Sequence, residues 1–310
     1  MIARLLFLLG MRVVPWVPRR LAYASARLVA RMIAATQPAA LRAAAANQAV
    51  VQDQPADAPS VLAAARAALA LQALNYVDLL QLRRLERADI ERRVAVRGYE
   101  HLQQAQQAGR GVIMVSAHLG NLDLVGQVFA LRGQRVLVPV ERIHPPSLYE
   151  QVRHLRARHG ITLTPADAAL RPALRALRRG EIVALLADWD ALGTGVPVRF
   201  FGRDAWLPRG PAVLHLRTGA PIVPCFGYRR PDGNYQAWVE PALAFPTTGD
   251  VPYDALAIMQ CVGEALAAAI RRSPEQWVLF HSVWPRPSEA DGSPAAARPS
   301  LPGSTRQPHD

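Results

Sequence analysis

The sequence predicts an α/β protein: a central mixed, largely buried β-sheet flanked by helices, with a helical N-terminal membrane-surface segment. Three observations predict this fold class. Short apolar runs of strand length alternate with helical segments from residue 94 onward. Hydrophobic residues make up 51% of the 310 residues, which is enough to bury a core and excludes a chain that is disordered throughout. The first 52 residues are basic and contain no acid.

The same patterns indicate three regions. We expect a helical, membrane-associating region at residues 1–90, an α/β core at 91–286 and a disordered tail at 287–310. The tail is rich in Pro, Ser, Ala, Gly and Arg, so it has too little apolar surface to offset its ordering entropy. The strand candidates of the core are residues 112–116, 136–140, 182–187, 196–200, 222–228 and 235–239. Its helix candidates are residues 122–132, 146–159, 168–179, 209–218 and 253–271.

The N-terminal region indicates a lipid surface as partner. Its arginines accompany an apolar run at residues 5–9 and Trp16. A bilayer-spanning helix needs about 20 apolar residues, and Arg4 and Arg12 interrupt this run too early. We favour a basic amphipathic anchor on the cytoplasmic face of the inner membrane, with Trp16 at headgroup depth. A cleaved signal peptide and an ordinary helix packed on the core are the alternatives.

The charged residues and cysteines exclude several kinds of chemistry. All 36 Lys+Arg residues are arginines, which rules out a Schiff-base lysine, a P-loop lysine and a lysine general base. The net charge of +12 indicates an anionic partner. Nucleic acid is not expected, because aromatic residues are only 6% and no recognised binding module is visible. Cys225 and Cys261 form neither a disulfide framework nor a zinc cluster, which fits a reducing compartment.

The stretch from Gly111 to Asp123 carries the candidate chemistry. An apolar strand ends at His118, Gly120 and Asn121 supply a tight turn, and Asp123 falls in the first turn of the next helix. Ligands of α/β proteins bind where strands end in such turns. The spacing lets the two side chains meet, and a carboxylate on one ring nitrogen leaves the other as a base for a hydroxyl group. A structural histidine beside a helix-capping aspartate is the alternative, because H-x4-D is a common spacing.

This stretch resembles the H-x4-D/E block of the lysophospholipid acyltransferase superfamily. It is most similar to the branch of bacterial lipid A lauroyl/myristoyl acyltransferases and phosphatidylinositol mannoside acyltransferase. Further blocks follow in that branch's order over about residues 90–286, at residues 96–102, 188–190, 207–212, 218–224 and 274–277. The lipid A enzymes usually have Glu at the position of Asp123 and D-Q-D where this chain has D-W-D, and the E-G-T-R block of glycerol-phosphate acylating relatives is missing. These departures favour a mannoside-acylating or less specialised relative.

The resemblance implies a membrane-associated O-acyltransferase. It would move a fatty acyl group from acyl-CoA or acyl carrier protein, as co-substrate, to a hydroxyl group of a glycolipid such as a lipid A precursor or a phosphatidylinositol mannoside. His118 would be the general base and Asp123 would hold and charge-stabilise it, without an acyl-enzyme, cofactor or metal. The oxyanion would meet backbone N–H groups near Gly120 or at the helix start of Arg209 and Gly210.

The resemblance also implies substrate-binding residues. Glu141 follows the strand after the catalytic helix, where this branch has a glutamate that lines the acceptor site. Asp188 and Asp190 match an acidic pair that would shape the catalytic groove. An anionic headgroup or the phosphates of the donor would meet either Arg156 or Arg158.

Two other enzyme classes compete with this prediction. The D-x-D pattern at residues 188–190 is also one that many glycosyltransferases use to hold a divalent metal against a nucleotide diphosphate. That class does not explain His118 and Asp123, nor the block from Gly210 to Pro221. A lipase-like hydrolase is disfavoured, because the sequence contains no G-x-S-x-G elbow.

Overall fold

A computed structural model describes residues 10–36, 38–143 and 145–284. The predicted disordered tail and the apolar run at residues 5–9 lie outside the described residues. Between Gly10 and Arg93 the described residues are mainly helical, and the first strand among them begins at Val94. The division into three regions stays a prediction.

The N-terminal part is built on a long, buried helix. Its helices are α1 (Arg19–Thr36), α2 (Pro38–Gln52), α3 (Pro59–Gln81) and α4 (Arg87–Arg93). α1 packs on α3 through a stripe of small side chains at Ala22, Ala26 and Ala30, together with the ring of Tyr23. Because these positions recur every three or four residues, they share one face of the helix.

The α/β part follows. Its strands within the described residues are β1 (Val94–Arg97), β2 (Val112–Ser116), β3 (Val136–Val140), β4 (Ile161–Pro165), β5 (Ile182–Leu186), β6 (Val196–Phe200), β7 (Arg203–Leu207), β8 (Ile222–Arg229) and β9 (Tyr235–Val239). Its helices are α5 (Tyr99–Gln106), α6 (Leu122–Leu131), α7 (Pro146–Arg156), α8 (Leu170–Arg178), α9 (Gly210–Thr218) and α10 (Val251–Arg272).

Seven strands form one sheet in the order β1-β9-β8-β2-β5-β3-β4, while β6 and β7 form a separate antiparallel pair. Only β8 and β9 run antiparallel within the large sheet. The central strand β2 is buried along its whole length. Its side chains alternate between a core shared with α8, α9 and α10 and a core shared with α4 to α7. The predicted mixed α/β fold with a helical N-terminal segment is therefore confirmed, and the position of that segment at a membrane surface stays a prediction.

All predicted core elements are present, with small shifts at their ends. Sequence patterns do not reveal β1, β4, β7, α4 or α5. The three strands are missed because none contains the continuous apolar run that marks a buried strand. β4 and β7 are partly exposed, and β1 has only four residues.

Two helices among the described residues, α3 and α10, are long and apolar enough to cross a membrane by length and composition alone. Half of each apolar window is buried within the protein. Both also supply residues to the cores of the fold.

Candidate active site

The candidate site lies at the carboxyl edge of the sheet, where β2 and β5 end side by side. In their parallel register Ser116 pairs with Leu186, and the N–H of Ala187 donates to the Ser116 carbonyl at 2.9 Å. Two residues beyond each strand, the chain reaches His118 on one side and Asp188 on the other. β8 and β5 are the neighbours of β2 on its two sides. In open α/β sheets, ligands bind in a crevice at the carboxyl ends of strands at such a position in the strand order.

His118 and Asp188 form a hydrogen-bonded pair. His118 Nδ1 lies 2.8 Å from Asp188 Oδ1, and the backbone N–H of His118 donates to Oδ2 at 2.8 Å. The indole N–H of Trp277 donates to the same Oδ2 at 2.8 Å. The Asp188 side chain is fully buried, whereas the His118 side chain is 31% exposed. Because Nδ1 is engaged, Nε2 is the ring nitrogen left for a substrate.

The surroundings of His118 favour its protonated form. Burial disfavours the imidazolium, but the charge and hydrogen bond of Asp188, helped by the charge of Glu141, outweigh burial and raise the pKa of His118. Burial also opposes ionisation of Asp188, yet His118 and the N–H groups of His118 and Trp277 lower the pKa of that carboxyl. Asp188 therefore stays charged, and His118 gains a proton readily.

The segment that follows α10 holds the turn at residues 118–121 in place. The N–H of Gly120 donates to the Gln276 carbonyl at 3.0 Å, and the N–H of Val278 donates to the His118 carbonyl at 2.8 Å. Trp277 lies between these two contacts and is 1% exposed. It both closes the core and bonds the carboxylate of Asp188, a contact that the sequence alone does not indicate.

The turn itself depends on three residues. Gly120 has φ +65°, and a Cβ at this position would collide with the carbonyl of Gly227 on β8. Asn121 caps α6, because its Oδ1 accepts from the N–H of Leu124 at 3.0 Å. On α3, Asn75 donates to the Gly120 carbonyl at 2.7 Å. The turn is thus held by a strand, a helix and the N-terminal part of the chain.

A second buried carboxylate supports the turn from α3. Asp78 is fully buried, and its Oδ2 accepts from the side-chain amide of Asn121 at 3.0 Å and from the hydroxyl of Tyr235 at 2.5 Å. Its Oδ1 accepts from the hydroxyl of Tyr23 at 2.7 Å. Sequence reasoning misses Asp78, and the available signal is an acidic residue on the apolar face of a helix.

The predicted contact between His118 and Asp123 is wrong. Asp123 pairs instead with Arg156 at the end of α7, where Nε lies 2.6 Å from Oδ1 and Nη2 donates to Oδ2 at 3.2 Å. The shorter contact is an ion pair without hydrogen-bond geometry. Asp123 raises the pKa of Arg156 by its charge. The physical reason is the register of β2 and β5, which places Asp188 at Nδ1 of His118, while the start of α6 faces α7.

The structure distinguishes between the two predicted arginines. The charge of Glu141 raises the pKa of His118 and that of Arg156 lowers it, so both side chains remain candidates for the site. Arg158 is exposed and acts on the pKa of His159, which it lowers together with burial. Tyr76 on α3 is 51% exposed and lies close enough to Arg156 to raise its pKa, and sequence reasoning misses this residue.

The remaining predicted residues lie around the site and not at its centre. Asp190 holds its own loop, since Oδ1 accepts from the N–H of Thr194 at 3.2 Å and Oδ2 from that of Gly195 at 2.6 Å. The two carboxylates of the D-x-D pattern therefore have separate partners. Gly210 begins α9 next to Leu185 of β5, and Arg209 is exposed immediately before it.

This arrangement can remove a proton from a hydroxyl group. It presents one free imidazole nitrogen that is backed by a buried carboxylate, and it places a carboxylate and a guanidinium beside it. The imidazole with its buried carboxylate is the group that general-base catalysis on an alcohol requires, and the neighbouring charges could bind a polar substrate.

Comparison with known proteins agrees with this chemistry. The family described as "Bacterial lipid A biosynthesis acyltransferase" matches residues 2–286. The phosphatidylinositol mannoside acyltransferase of Mycolicibacterium smegmatis is 30% identical over 239 residues, which cover 76% of each chain. The protein of that name from Mycobacterium tuberculosis is 33% identical over 60% of this chain and 58% of its own. The lipid A biosynthesis lauroyltransferase of Escherichia coli is 28% identical over 62% of this chain and 63% of its own.

Proposed function

The chain belongs to the bacterial lipid A biosynthesis acyltransferase family, and we propose on that premise that it moves a fatty acyl group from an acyl thioester to a hydroxyl group of a glycolipid. Its relatives are named acyltransferases, which makes it an O-acyltransferase. The observation that carries the detailed proposal is the pair of His118 and Asp188, with Nε2 free at the edge of the sheet.

In the proposed reaction His118 is the general base. Nε2 takes the proton of the acceptor hydroxyl as the hydroxyl oxygen attacks the thioester carbon, and Asp188 stabilises the imidazolium that forms. The tetrahedral intermediate then collapses, the C–S bond breaks, and the thiolate leaves with the proton from His118. The products are a new ester and a free thiol. No acyl-enzyme, cofactor or metal takes part.

The proposed oxyanion donors lie at the start of α9. The N–H of Gly120 already donates to the Gln276 carbonyl, so it is not available to the oxyanion. The first turn of α9, at Gly210 near the end of β5, combines free N–H groups with the positive end of the helix dipole.

The proposed acceptor side lies between Glu141 and Arg156. A carboxylate accepts hydrogen bonds from sugar hydroxyls, and a guanidinium binds a phosphate or another anion. The exposed ring of Tyr76 beside Arg156 adds an apolar surface for a sugar ring. These three side chains suit a glycolipid with an anionic group. Acyl-CoA and acyl carrier protein both fit as donor.

The proposed place of reaction is the membrane surface, supported by the outer face of α1. This face exposes the apolar side chains of Leu21, Leu28, Val29 and Met32, at 49–61% of their surface, beside Arg20, Arg27 and Arg31. Trp16, immediately before α1, is 72% exposed. An apolar face bordered by arginines is typical of a helix that lies in the headgroup layer. Binding of the full chain to anionic vesicles tests this placement.

Replacement of His118 tests the proposed reaction. We expect His118→Ala to reduce transfer of the acyl group by about a thousandfold or more, because the base is lost while binding and oxyanion contacts remain. The measurement is formation of acylated glycolipid from a radiolabelled thioester by the purified full chain. Near-normal turnover by a folded His118→Ala protein would overturn the proposal. Arg158→Ala, at an exposed position away from His118, is the matched control and should keep its activity.

The metal-dependent glycosyltransferase alternative is not supported. Both oxygens of Asp188 are held by His118 and Trp277, and those of Asp190 by the backbone of its own loop. A shared metal would require these four oxygens to turn toward one point. The family match also assigns the chain to acyltransferases.

A further inference from the structure

We infer that a second, non-catalytic cavity, walled by Gln276 and four arginines, binds a phosphate group. The cavity has a volume of about 430 Å³ and lies over the β8, β9 and β1 side of the sheet, at the end of α10. Its arginines are Arg97, Arg229, Arg230 and Arg272. A phosphate could come from a lipid headgroup or from a soluble phosphate ester, and both would meet the same side chains.

The charge of the cavity is positive and only partly compensated. No acidic residue lines it. Arg272 pairs with Glu240 at 2.8 Å and Arg230 with Asp232 at 3.4 Å. Within the described part of the chain, Arg97 and Arg229 have no carboxylate at ion-pair distance, so about two positive charges face the cavity without a counter-charge. Arginines without carboxylates bind phosphate strongly, because the guanidinium fork matches two phosphate oxygens.

The arginines are held in place before any ligand arrives. The guanidinium groups of Arg97 and Arg272 stack on the ring of Trp238 at 5.8 Å and 5.6 Å from its centroid. Arg229 stacks on the ring of Tyr23 at 4.9 Å. Stacking fixes the guanidinium planes while leaving their N–H groups free to donate. This pre-organisation reduces the entropy that ligand binding would otherwise cost.

One donor in this cluster already lacks an acceptor. The Nε of Arg229 is buried and has no hydrogen-bond partner in the described residues. A buried donor without an acceptor is unfavourable, so the present position of the Arg229 side chain is not its best one, and a small shift toward the cavity would let a phosphate oxygen accept from Nε. Gln236, Ser273 and Gln276 add neutral polar groups to the same wall. Tyr228, Pro231 and Trp238 line the rest of the cavity with apolar surface, so the preference for an anion comes from the arginines.

The cavity is separate from the site of acyl transfer but connected to it. None of the candidate catalytic residues lines it. Its wall residue Gln276 bonds the backbone of Arg229 on one side and receives the N–H of Gly120 on the other. The cavity also adjoins the start of α1, because Arg19 donates to the carbonyl of Gly233 in the β8–β9 turn. A phosphate bound here would thus lie near the proposed membrane face.

Calorimetry with pyrophosphate, and vesicle flotation, test the inference on the full chain. The variant Arg97→Gln/Arg229→Gln removes the two uncompensated charges. We expect its affinity to fall about thirtyfold, or about fivefold for each arginine, since a basic residue near an anionic surface contributes about 1 kcal/mol. Arg171→Gln/Arg178→Gln, at exposed positions on α8, is the charge-matched control and should bind as the wild type does. If the first variant does not fold, Arg97→Gln alone should still lose about fivefold.

The two arms identify the source of the phosphate. A loss specific to the cavity variant in pyrophosphate binding supports a soluble phosphate ester. A loss confined to vesicles of phosphatidylcholine with phosphatidylglycerol, and absent with phosphatidylcholine alone, supports a lipid headgroup. Equal binding by wild type, cavity variant and control in both arms overturns the inference. His118→Ala should bind both probes normally, so the result is independent of whether acyl transfer is observed.

Discussion

Asp188 and Asp78 lie on either side of the same turn, and both are fully buried carboxylates that accept three hydrogen bonds. They differ in what donates to them. Asp188 faces an imidazole that can gain and lose a proton, whereas Asp78 faces two phenols and an amide, with Nη1 of Arg93 at 3.9 Å from its Oδ1. Burial raises the pKa of both tyrosine hydroxyls and Asp78 raises it further, so those donors stay neutral at all physiological pH values. The comparison shows that two equally buried carboxylates differ in their donors: only Asp188 has an imidazole, which is why we assign the proposed catalytic role to Asp188 and a supporting role to Asp78.

The largest effect should follow from Asp188→Asn. We expect the transfer rate to fall about a thousandfold, because an amide does not stabilise the imidazolium and its NH2 group, in place of Oδ1, cannot accept from Nδ1–H of His118. His118 must be neutral to act, so activity rises as pH increases through its pKa. Without the charge of Asp188, the pKa of His118 falls from its raised value, and the rising limb moves to lower pH. A pH profile of kcat/KM for both proteins measures this shift.

Asp190→Asn is the matched control for that experiment. It changes the other acid of the D-x-D pattern but leaves His118 untouched, so its pH profile should keep the position of the wild type. A rising limb that stays in place for Asp188→Asn would show that Asp188 does not set the pKa of His118.

A smaller effect on activity should follow from Asp78→Asn. An amide placed among three donors leaves at least one of them unsatisfied, so we expect the free energy of unfolding to fall by about 2 kcal/mol. Transfer should fall about tenfold, because the turn that carries His118 loses a support. The pH profile should not move, since Asp78 does not act on the pKa of His118. Chemical denaturation and the pH profile measure these two outcomes.

Asp57→Asn, on the exposed loop between α2 and α3, provides the control for loss of an acid in the same part of the chain. It should change neither stability nor turnover. A shift of the pH profile in Asp78→Asn similar to that of Asp188→Asn would remove the distinction between the two carboxylates.

The smallest effect should follow from Tyr23→Phe. The change removes one hydroxyl donor to Asp78 and keeps the ring on which Arg19 and Arg229 stack. We expect a loss of about 1 kcal/mol in the free energy of unfolding and no change in turnover, because Asp78 retains two donors. Thermal unfolding and a turnover assay test this. A large loss of activity would show that α1 contributes to catalysis and not only to support.

The sequence predicts those parts of the fold and of the site that a single local pattern defines. Strands such as β2 and β5 are continuous apolar runs, and His118 and Asp188 each follow such a run, so both residues are visible as candidates. Their pairing cannot be predicted from the sequence, because the residues are 70 positions apart and no local pattern predicts the order of the strands in the sheet. For the same reason spacing suggested Asp123 as the partner, which the structure assigns to Arg156.

The sequence by itself determined the alternation of elements, the apolar core, the basic acid-free N-terminus and the identity of His118 as the candidate base. These features depend on residue type and local periodicity, and both can be read directly from the sequence. Only the tertiary structure decided that Asp188 and not Asp123 holds His118, that Trp277 and Asp78 support the turn, and that Arg97 and Arg229 share one cavity. Each of these depends on strand order and helix packing, which bring distant residues together by burial of the whole chain.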